Sequence, residues 1–237
     1  MIITCDTIFS MLNEKELTVE MINENIDSHI ADISKEFKNG FEFIRKYSKS
    51  VTIFGSSRLT PSSKYYQLAT ELAGKIVTDT KYTVITGGGP GIMEAANLGA
   101  KNANGKSVGL NITIKDEQHT NTHTTDSILF DYFFTRKTML NFAAEAYVFF
   151  PGGYGTFDEL FGILTLIDTK KIPIVPIILF GKDFWNPLED FFKKIMIERH
   201  NTINESHLDL FTITDSIDEV IEIIKKAPVS QWWKIMD

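Results

Sequence analysis

The chain contains one cysteine in 237 residues, Cys5. A lone cysteine excludes a disulfide framework within the chain and a thiolate metal cage, and it fits a reducing, cytoplasmic setting. Positive charge is also scarce: 24 Lys and Arg stand against 31 Asp and Glu, a net charge of −7. Nothing supplies the basic stripe that phosphate backbones need, so a general nucleic-acid binder is not expected. No apolar run approaches the roughly 20 residues that span a bilayer. The most apolar segment, 172–180, carries Pro173 and Pro176 and reads as a buried strand. The amino terminus shows no charged-then-apolar leader pattern, since Ile2-Ile3 is too short a run. Repeats and low-complexity tracts are missing. So are two common nucleotide fingerprints: G-x-G-x-x-G with a trailing acid, and the G-x-x-x-x-G-K-[ST] P-loop. A nucleoside monophosphate or sugar phosphate therefore suits this chain better than a dinucleotide or a triphosphate.

What the chain does have is glycine in clusters, placed after apolar runs. Ala146-Tyr147-Val148-Phe149-Phe150 leads into Pro151-Gly152-Gly153-Tyr154-Gly155-Thr156-Phe157-Asp158-Glu159. Tyr82-Thr83-Val84-Ile85-Thr86 leads into Gly87-Gly88-Gly89-Pro90-Gly91 and then Ile92-Met93-Glu94-Ala95-Ala96-Asn97. A weaker third case is Val51-Thr52-Ile53-Phe54 followed by Gly55-Ser56-Ser57-Arg58. Each reads as strand, tight turn and helix start. Such turns aim backbone N–H groups and a helix dipole at one point, which suits a phosphate. Tight strand–helix connections also use glycine where nothing binds, but two dense clusters in one chain weaken that explanation.

The wider pattern predicts an α/β fold: a Rossmann-like, doubly wound parallel sheet with an N-terminal helical extension. Residues 12–48 look helical, with Leu17, Met21, Ile26, Ile30, Ile33, Phe37, Phe41, Phe43 and Ile44 near helical spacing. Strands are expected at 51–55, 82–86, 107–112, 127–131, 146–150 and 174–180. Helices are expected at about 63–79, 90–103, 135–145, 156–168, 184–198 and 216–226. Tyr65, Leu68, Leu72 and Ile76 would face the core, Pro90 would sit near the first helical position, and Thr214 or Asp215 would cap the last helix. The expected division is an extension over 1–50, a catalytic domain over 51–226 and a tail over 227–237. The three glycine-bearing loops should meet at the carboxyl edge of the sheet.

Several side chains have two readings. Thr156-Phe157-Asp158-Glu159 is a T-x-x-E capping box, in which Glu159 would sit in the first helical turn. Arg136 and Lys137 lie near the start of a helix, where cations oppose the dipole by about 0.3–1 kcal/mol each. Such local violations gather at functional sites, although an exposed Arg-Lys pair bonded to a surface acid is commoner. Glu94 and Asn97 share a helix face that lines a site or is merely solvated. His119 and His123 read as loop residues, and no metal site is expected. Asp168, Lys170 and Lys171 read as an exposed helix end, while Trp185, Trp232 and Trp233 read as packing or interface groups.

Taken together, Gly87-Gly88-Gly89-Pro90-Gly91-Ile92-Met93-Glu94-Ala95-Ala96-Asn97, Phe134-Thr135-Arg136-Lys137 and the 151–159 block resemble the LOG (Lonely Guy) family, often labelled lysine decarboxylase-like. The last block matches its PGGxGTxxE signature, with Asp158 where many relatives have Glu. The likeness runs from about residue 50 to 226, and the N-terminal helices look like the longer bacterial branch. It implies hydrolysis of the N-glycosidic bond of a nucleoside 5′-monophosphate, a cytokinin ribotide or AMP, to free base and ribose 5-phosphate. By motif match, Arg136 and Glu159 would be the catalytic pair, and Gly152, Gly153, Gly155 and Thr156 the phosphate-side loop. The remaining candidate ligand contacts are Gly55, Ser56, Gly88, Gly89, Glu94, Asn97 and Lys137. The resemblance also implies a homodimer or larger assembly, with apolar surface around 134–142 or the N-terminal helices at the contact. No cofactor is expected, because neither glycine block carries the Schiff-base lysine that pyridoxal phosphate needs. The alternative reading is a carrier of the same fold that holds a nucleotide or pterin-type cofactor without turnover.

Overall fold

A computed structural model describes residues 19–114 and 120–228, with side chains from residue 25 onward. Cys5, Leu17, His119, Trp232 and Trp233, and the side chain of Met21, lie outside the described residues. The elements run α1 (Val19–Ile44), β1 (Ser50–Phe54), α2 (Lys64–Thr80), β2 (Thr83–Thr86), α3 (Ile92–Asn102), β3 (Ser107–Ile112), β4 (Asp126–Phe130), α4 (Phe133–Phe142), β5 (Ala146–Phe149), α5 (Tyr154–Asp168), β6 (Ile177–Phe180), α6 (Lys182–Phe191), β7 (Thr212–Thr214) and α7 (Ile217–Lys226). A π-helical stretch, Phe192–Arg199, continues α6, and a 3-10 helix, Glu205–Leu210, precedes β7.

All seven strands are parallel, in the order β4-β3-β2-β1-β5-β6-β7. This is the expected Rossmann-like α/β fold. Successive strand residues point to opposite faces, and both faces are covered, which explains why the strands read as apolar runs. Val51, Ile53, Val148, Phe150, Ile178 and Phe180 pack under α2, α3 and α7. Phe54, Tyr147, Phe149, Ile177 and Leu179 pack on the other face with residues of α1, α4, α5 and α6. Trp185 is fully buried there, and its indole N–H donates to Phe149 O at 3.1 Å. Among the described residues no helix is long and apolar enough to cross a membrane.

Several boundaries differ from the sequence expectation for physical reasons. Residues 172–176 are not strand: Pro173 and Pro176 cannot donate to a ladder, Ile174 is 74% exposed, and β6 begins only at Ile177. Tyr66 is the buried tyrosine of α2, together with Ala69, Leu72, Ala73 and Ile76, while Tyr65 and Leu68 pack half-buried at the edge of the same core. Pro90 stands before the cap residue Gly91 rather than inside the helix. The cap of α7 is Ser216, whose hydroxyl accepts from Glu219 N–H at 3.3 Å, so neither Thr214 nor Asp215 fills that place. The helix expected at 135–145 starts at Phe133 and ends at Phe142. Strand β7 and the 3-10 turn before it were not expected.

Candidate active site

Strands β2, β3 and β4 build outward from one side of β1, and β5, β6 and β7 from the other. The order therefore reverses between β1 and β5, and a crevice opens at their carboxyl ends. Its loops are tied together. Ser56 N–H donates to Pro151 O at 3.0 Å, and Ser56 O accepts from Ile92 N–H at 3.0 Å. The second contact needs Gly91, which has φ +71° and whose Cβ would overlap Ser56 O. The three glycine-bearing loops thus meet at one edge, around a cleft of about 820 Å³.

Gly55, Ser56, Arg136, Gly152, Gly153, Gly155, Thr156 and Glu159 all line this cleft. Helix α5 starts at Tyr154 with Gly153 as its cap residue and no side-chain cap. Thr156 is therefore the third helical residue, and the T-x-x-E capping box does not form. Glu159 sits in the second turn, not the first. Phe157 N–H closes the first turn on Gly153 O at 3.1 Å. The amides ahead of it have no intrahelical acceptor and border the cleft. A Cβ at Gly152 would overlap the Thr156 side chain, whereas a Cβ at Gly153 or Gly155 would meet nothing within 4 Å.

Glu159 is 5% exposed, and its Oε2 has no hydrogen-bond partner among the described residues. Burial pushes its carboxyl up to about 7, with Lys137 and Arg136 pulling the other way. Lys137 does not line the cleft: its Nζ bonds Asp158 Oδ2 at 2.6 Å and Asp158 O at 3.1 Å, tying α4 to α5. The Arg136 side chain runs below the end of β2. Its Nε donates to Leu110 O at 2.6 Å and its Nη2 to Gly87 O at 3.2 Å. Gly87 leaves room for this arrangement, since a Cβ there would push the guanidinium aside. Burial lowers the Arg136 pKa, with the Glu159 charge opposing.

The two cations at the start of α4 have a compensating acid. The first turn of α4 contains none of its own, but Glu36 of α1 accepts from Asp131 N–H at 2.7 Å and from Tyr132 N–H at 3.1 Å. A carboxylate at that end favours the helix dipole and anchors the element that carries Arg136.

The other candidates lie outside the cleft lining. Asn97 is fully buried and is a structural hub: its Oδ1 accepts from Thr86 Oγ1 at 2.6 Å and Asn121 Nδ2 at 3.0 Å, and its Nδ2 donates to Ser107 Oγ at 2.8 Å. It is not on a solvated face. Glu94 lies 3.8 Å from Nε2 of the loop residue His123. Gly88 and Gly89 are held through their carbonyls by Asn121, at 2.9 and 3.0 Å. Residues that line the cleft but do not stand among the candidate ligand contacts include Gly87, Tyr65, Met93, Phe133, Phe157 and Phe184. Arg58 also lines it, and its place directly after Gly55-Ser56-Ser57 was a usable signal. Nothing in one sequence marks Asn121, a single amide in a polar loop. Among the described residues no group of three His, Cys, Asp or Glu is placed to hold a metal ion.

A family model described as "possible lysine decarboxylase" matches residues 93–224, more than half of the chain. The chain belongs to that LOG-like family. Cytokinin riboside 5′-monophosphate phosphoribohydrolase LOG5 of Arabidopsis thaliana is 25% identical over 183 residues, covering 76% of this chain and 79% of the relative. Among solved structures, the structural-genomics target TM1055 aligns with TM-score 0.57 and 25% identity, over 75% of this chain and 99% of that one. A molybdenum cofactor carrier protein of Chlamydomonas reinhardtii shares the fold, with TM-score 0.54 and 20% identity over 76% of this chain and 97% of that one. Among the described residues no lysine lines the cleft, so none of them is placed there to form the Schiff base that a pyridoxal phosphate decarboxylase needs.

Proposed function

We propose that this chain hydrolyses the N-glycosidic bond of a purine nucleoside 5′-monophosphate, releasing free base and ribose 5-phosphate. One observation carries the reading: a buried carboxyl at Glu159, whose Oε2 has no hydrogen-bond partner among the described residues, shares a cleft with a helix start whose Gly153 and Gly155 leave open space. Neither glycine has positive φ or a crowded Cβ position, so the fold itself does not demand glycine there. Close approach of a phosphate to the backbone amides does.

In this reading the α5 amides hold the 5′-phosphate and so position the ribose. As the C1′–N bond breaks, positive charge grows on the sugar, as in other glycosidic hydrolyses. Glu159 stabilises that charge and takes a proton from the attacking water; a carboxyl near 7 suits a base working at neutral pH. Water supplies the hydroxyl to C1′, and the proton taken up at Glu159 is returned to the departing base, so the elements of one water are divided between the two products. Arg136 has donors left after its two carbonyl bonds and assists the leaving base. The working form is a homodimer or larger. Exposed Phe133 and Phe134 at the start of α4, and Ile26 and Ile30 on α1, supply the contact.

The test is product analysis of purified protein incubated with AMP, GMP, CMP and cytokinin ribotides. Free base and ribose 5-phosphate in equal amounts are expected from at least one of them. A ligand that binds tightly but releases no base would instead mark a carrier.

A further inference from the structure

A second cavity, of about 440 Å³, lies at the opposite edge of the sheet, beside the amino ends of β1, β2 and β3. Four lysines line it. Lys49 immediately precedes β1, Lys106 immediately precedes β3, Lys81 stands two residues before β2, and Lys46 follows α1. The backbone fixes this grouping. Lys49 O accepts from Thr83 N–H at 2.9 Å, and Lys106 O from Val84 N–H at 3.0 Å. Lys49 and Lys106 therefore flank the start of β2, and two strand spacings put their backbones roughly 10 Å apart.

On a chain of net charge −7, this concentration of one sign needs a reason. Lysines elsewhere among the described residues divide between those that meet acids, such as Lys75 with Asp218 at 2.7 Å and Lys137 with Asp158 at 2.6 Å, and those that do not, such as Lys101; what marks these four is that one cavity gathers them. Among the described residues none of the four cavity lysines has a carboxylate within ion-pair distance. Lys81 donates to Thr78 O at 2.9 Å, which is ordinary helix C-terminal capping. Capping does not account for the others. Lys46 Nζ lies 4.9 Å from the centre of the Phe43 ring, and Lys106 Nζ 5.6 Å from that of Tyr47, so packing holds both stems beside the cavity.

We propose that this lysine-lined cavity binds a small polyanion with two or three linked phosphates, at a site separate from the cleft. A single phosphate reaches only part of a lysine set spread over this distance, whereas a linked chain reaches across it. The volume lies within the roughly 300–1,000 Å³ of small-molecule sites. Charge-assisted contacts from ammonium to phosphate supply the affinity.

The experiment is calorimetric titration of the full chain, at fixed ionic strength, with inorganic pyrophosphate, inorganic triphosphate, ATP and inorganic phosphate. Saturable binding of pyrophosphate or triphosphate is expected, with inorganic phosphate weaker by about tenfold or more. Lys49→Ala and Lys106→Ala should each weaken binding by about tenfold, while Gly155→Val, in the cleft, leaves it unchanged. ATP binding more tightly than triphosphate would identify a nucleotide as the source; equal affinity would identify the phosphate chain alone. Both lysines are exposed, and unliganded melting curves establish that each variant is folded, with Lys49→Gln as a gentler substitute. No saturable binding by the unaltered protein, binding that survives both lysine substitutions, or binding lost in Gly155→Val would overturn the proposal.

Discussion

Burial of Glu159 carries an energetic cost that the charges of Lys137 and Arg136 offset only in part. A buried carboxyl without a partner favours its protonated form. The folded chain therefore keeps a proton, up to about pH 7, that an unfolded chain with an ordinary carboxyl near 4.5 releases. With the folded value raised, the contribution of Glu159 to stability is greatest below the unfolded value and is lost as pH rises through 7. Glu159→Gln has no charge to bury. The wild type should lose roughly 2–3 kcal/mol relative to this variant between pH 5 and 8, measured by denaturant unfolding at each pH. A parallel pH dependence of the two proteins would show that the carboxyl is not held in this state. The residue was legible as a candidate from its motif, but its local role was misread. T-x-x-E suggests a cap, whereas the helix has already begun at Tyr154. A glycine inside a first turn is intrinsically unfavourable, so propensity places the start after Gly155 and the observed fold overrides it.

At the scale of elements, the start of α5 carries the proposed phosphate cradle. Gly155 lies within a helix, where it costs about 0.5–1 kcal/mol relative to alanine, and nothing crowds its Cβ position. Gly155→Val should therefore leave the melting temperature unchanged or slightly raised, while AMP binding weakens by about tenfold or more as the side chain fills the approach to the amides. A thermal melt and a titration on the same sample check both halves. Alternation of strand and helix was readable because periodicity encodes it, but helix faces were less so. Helices α2 and α3 meet through small residues, with Gly99 against the Thr70 carbonyl and Ala69, Ala73, Ala95 and Ala96 buried. Alanine gives little hydrophobic signal, so the pattern points to the large Tyr65 rather than to Tyr66. Tyr65 packs half-buried against the core beside Phe150, but it also lines the cleft, and its hydroxyl donates to the Asp183 carboxylate.

For the whole molecule, the parallel sheet decides where chemistry can occur. Loops far apart in sequence, 55–59 and 151–155, come together only because β1 and β5 are neighbours at the reversal of strand order. The glycine runs announced these loops, whereas the supports that fix them were silent in the sequence. Asn121 on the 87–91 loop and Glu36 on α4 act across 32 and 96 residues of chain, respectively. A ligand that binds the folded state alone stabilises it by mass action, by about 2.7 kcal/mol at a hundredfold excess over Kd. AMP should therefore raise the melting temperature clearly, and adenosine, which leaves the amides of α5 empty, much less. Equal shifts for the two would contradict the assignment of the α5 start as a phosphate cradle.

The most direct test of the central claim is turnover of AMP by the wild type and by Glu159→Gln, with free adenine and ribose 5-phosphate quantified and a melting curve taken on each preparation. The wild type should give equimolar products, and the variant should stay folded and bind AMP but turn it over about a hundredfold more slowly or worse, the usual scale for losing a positioned charged group. A folded Glu159→Gln protein releasing adenine at the wild-type rate would contradict the central claim.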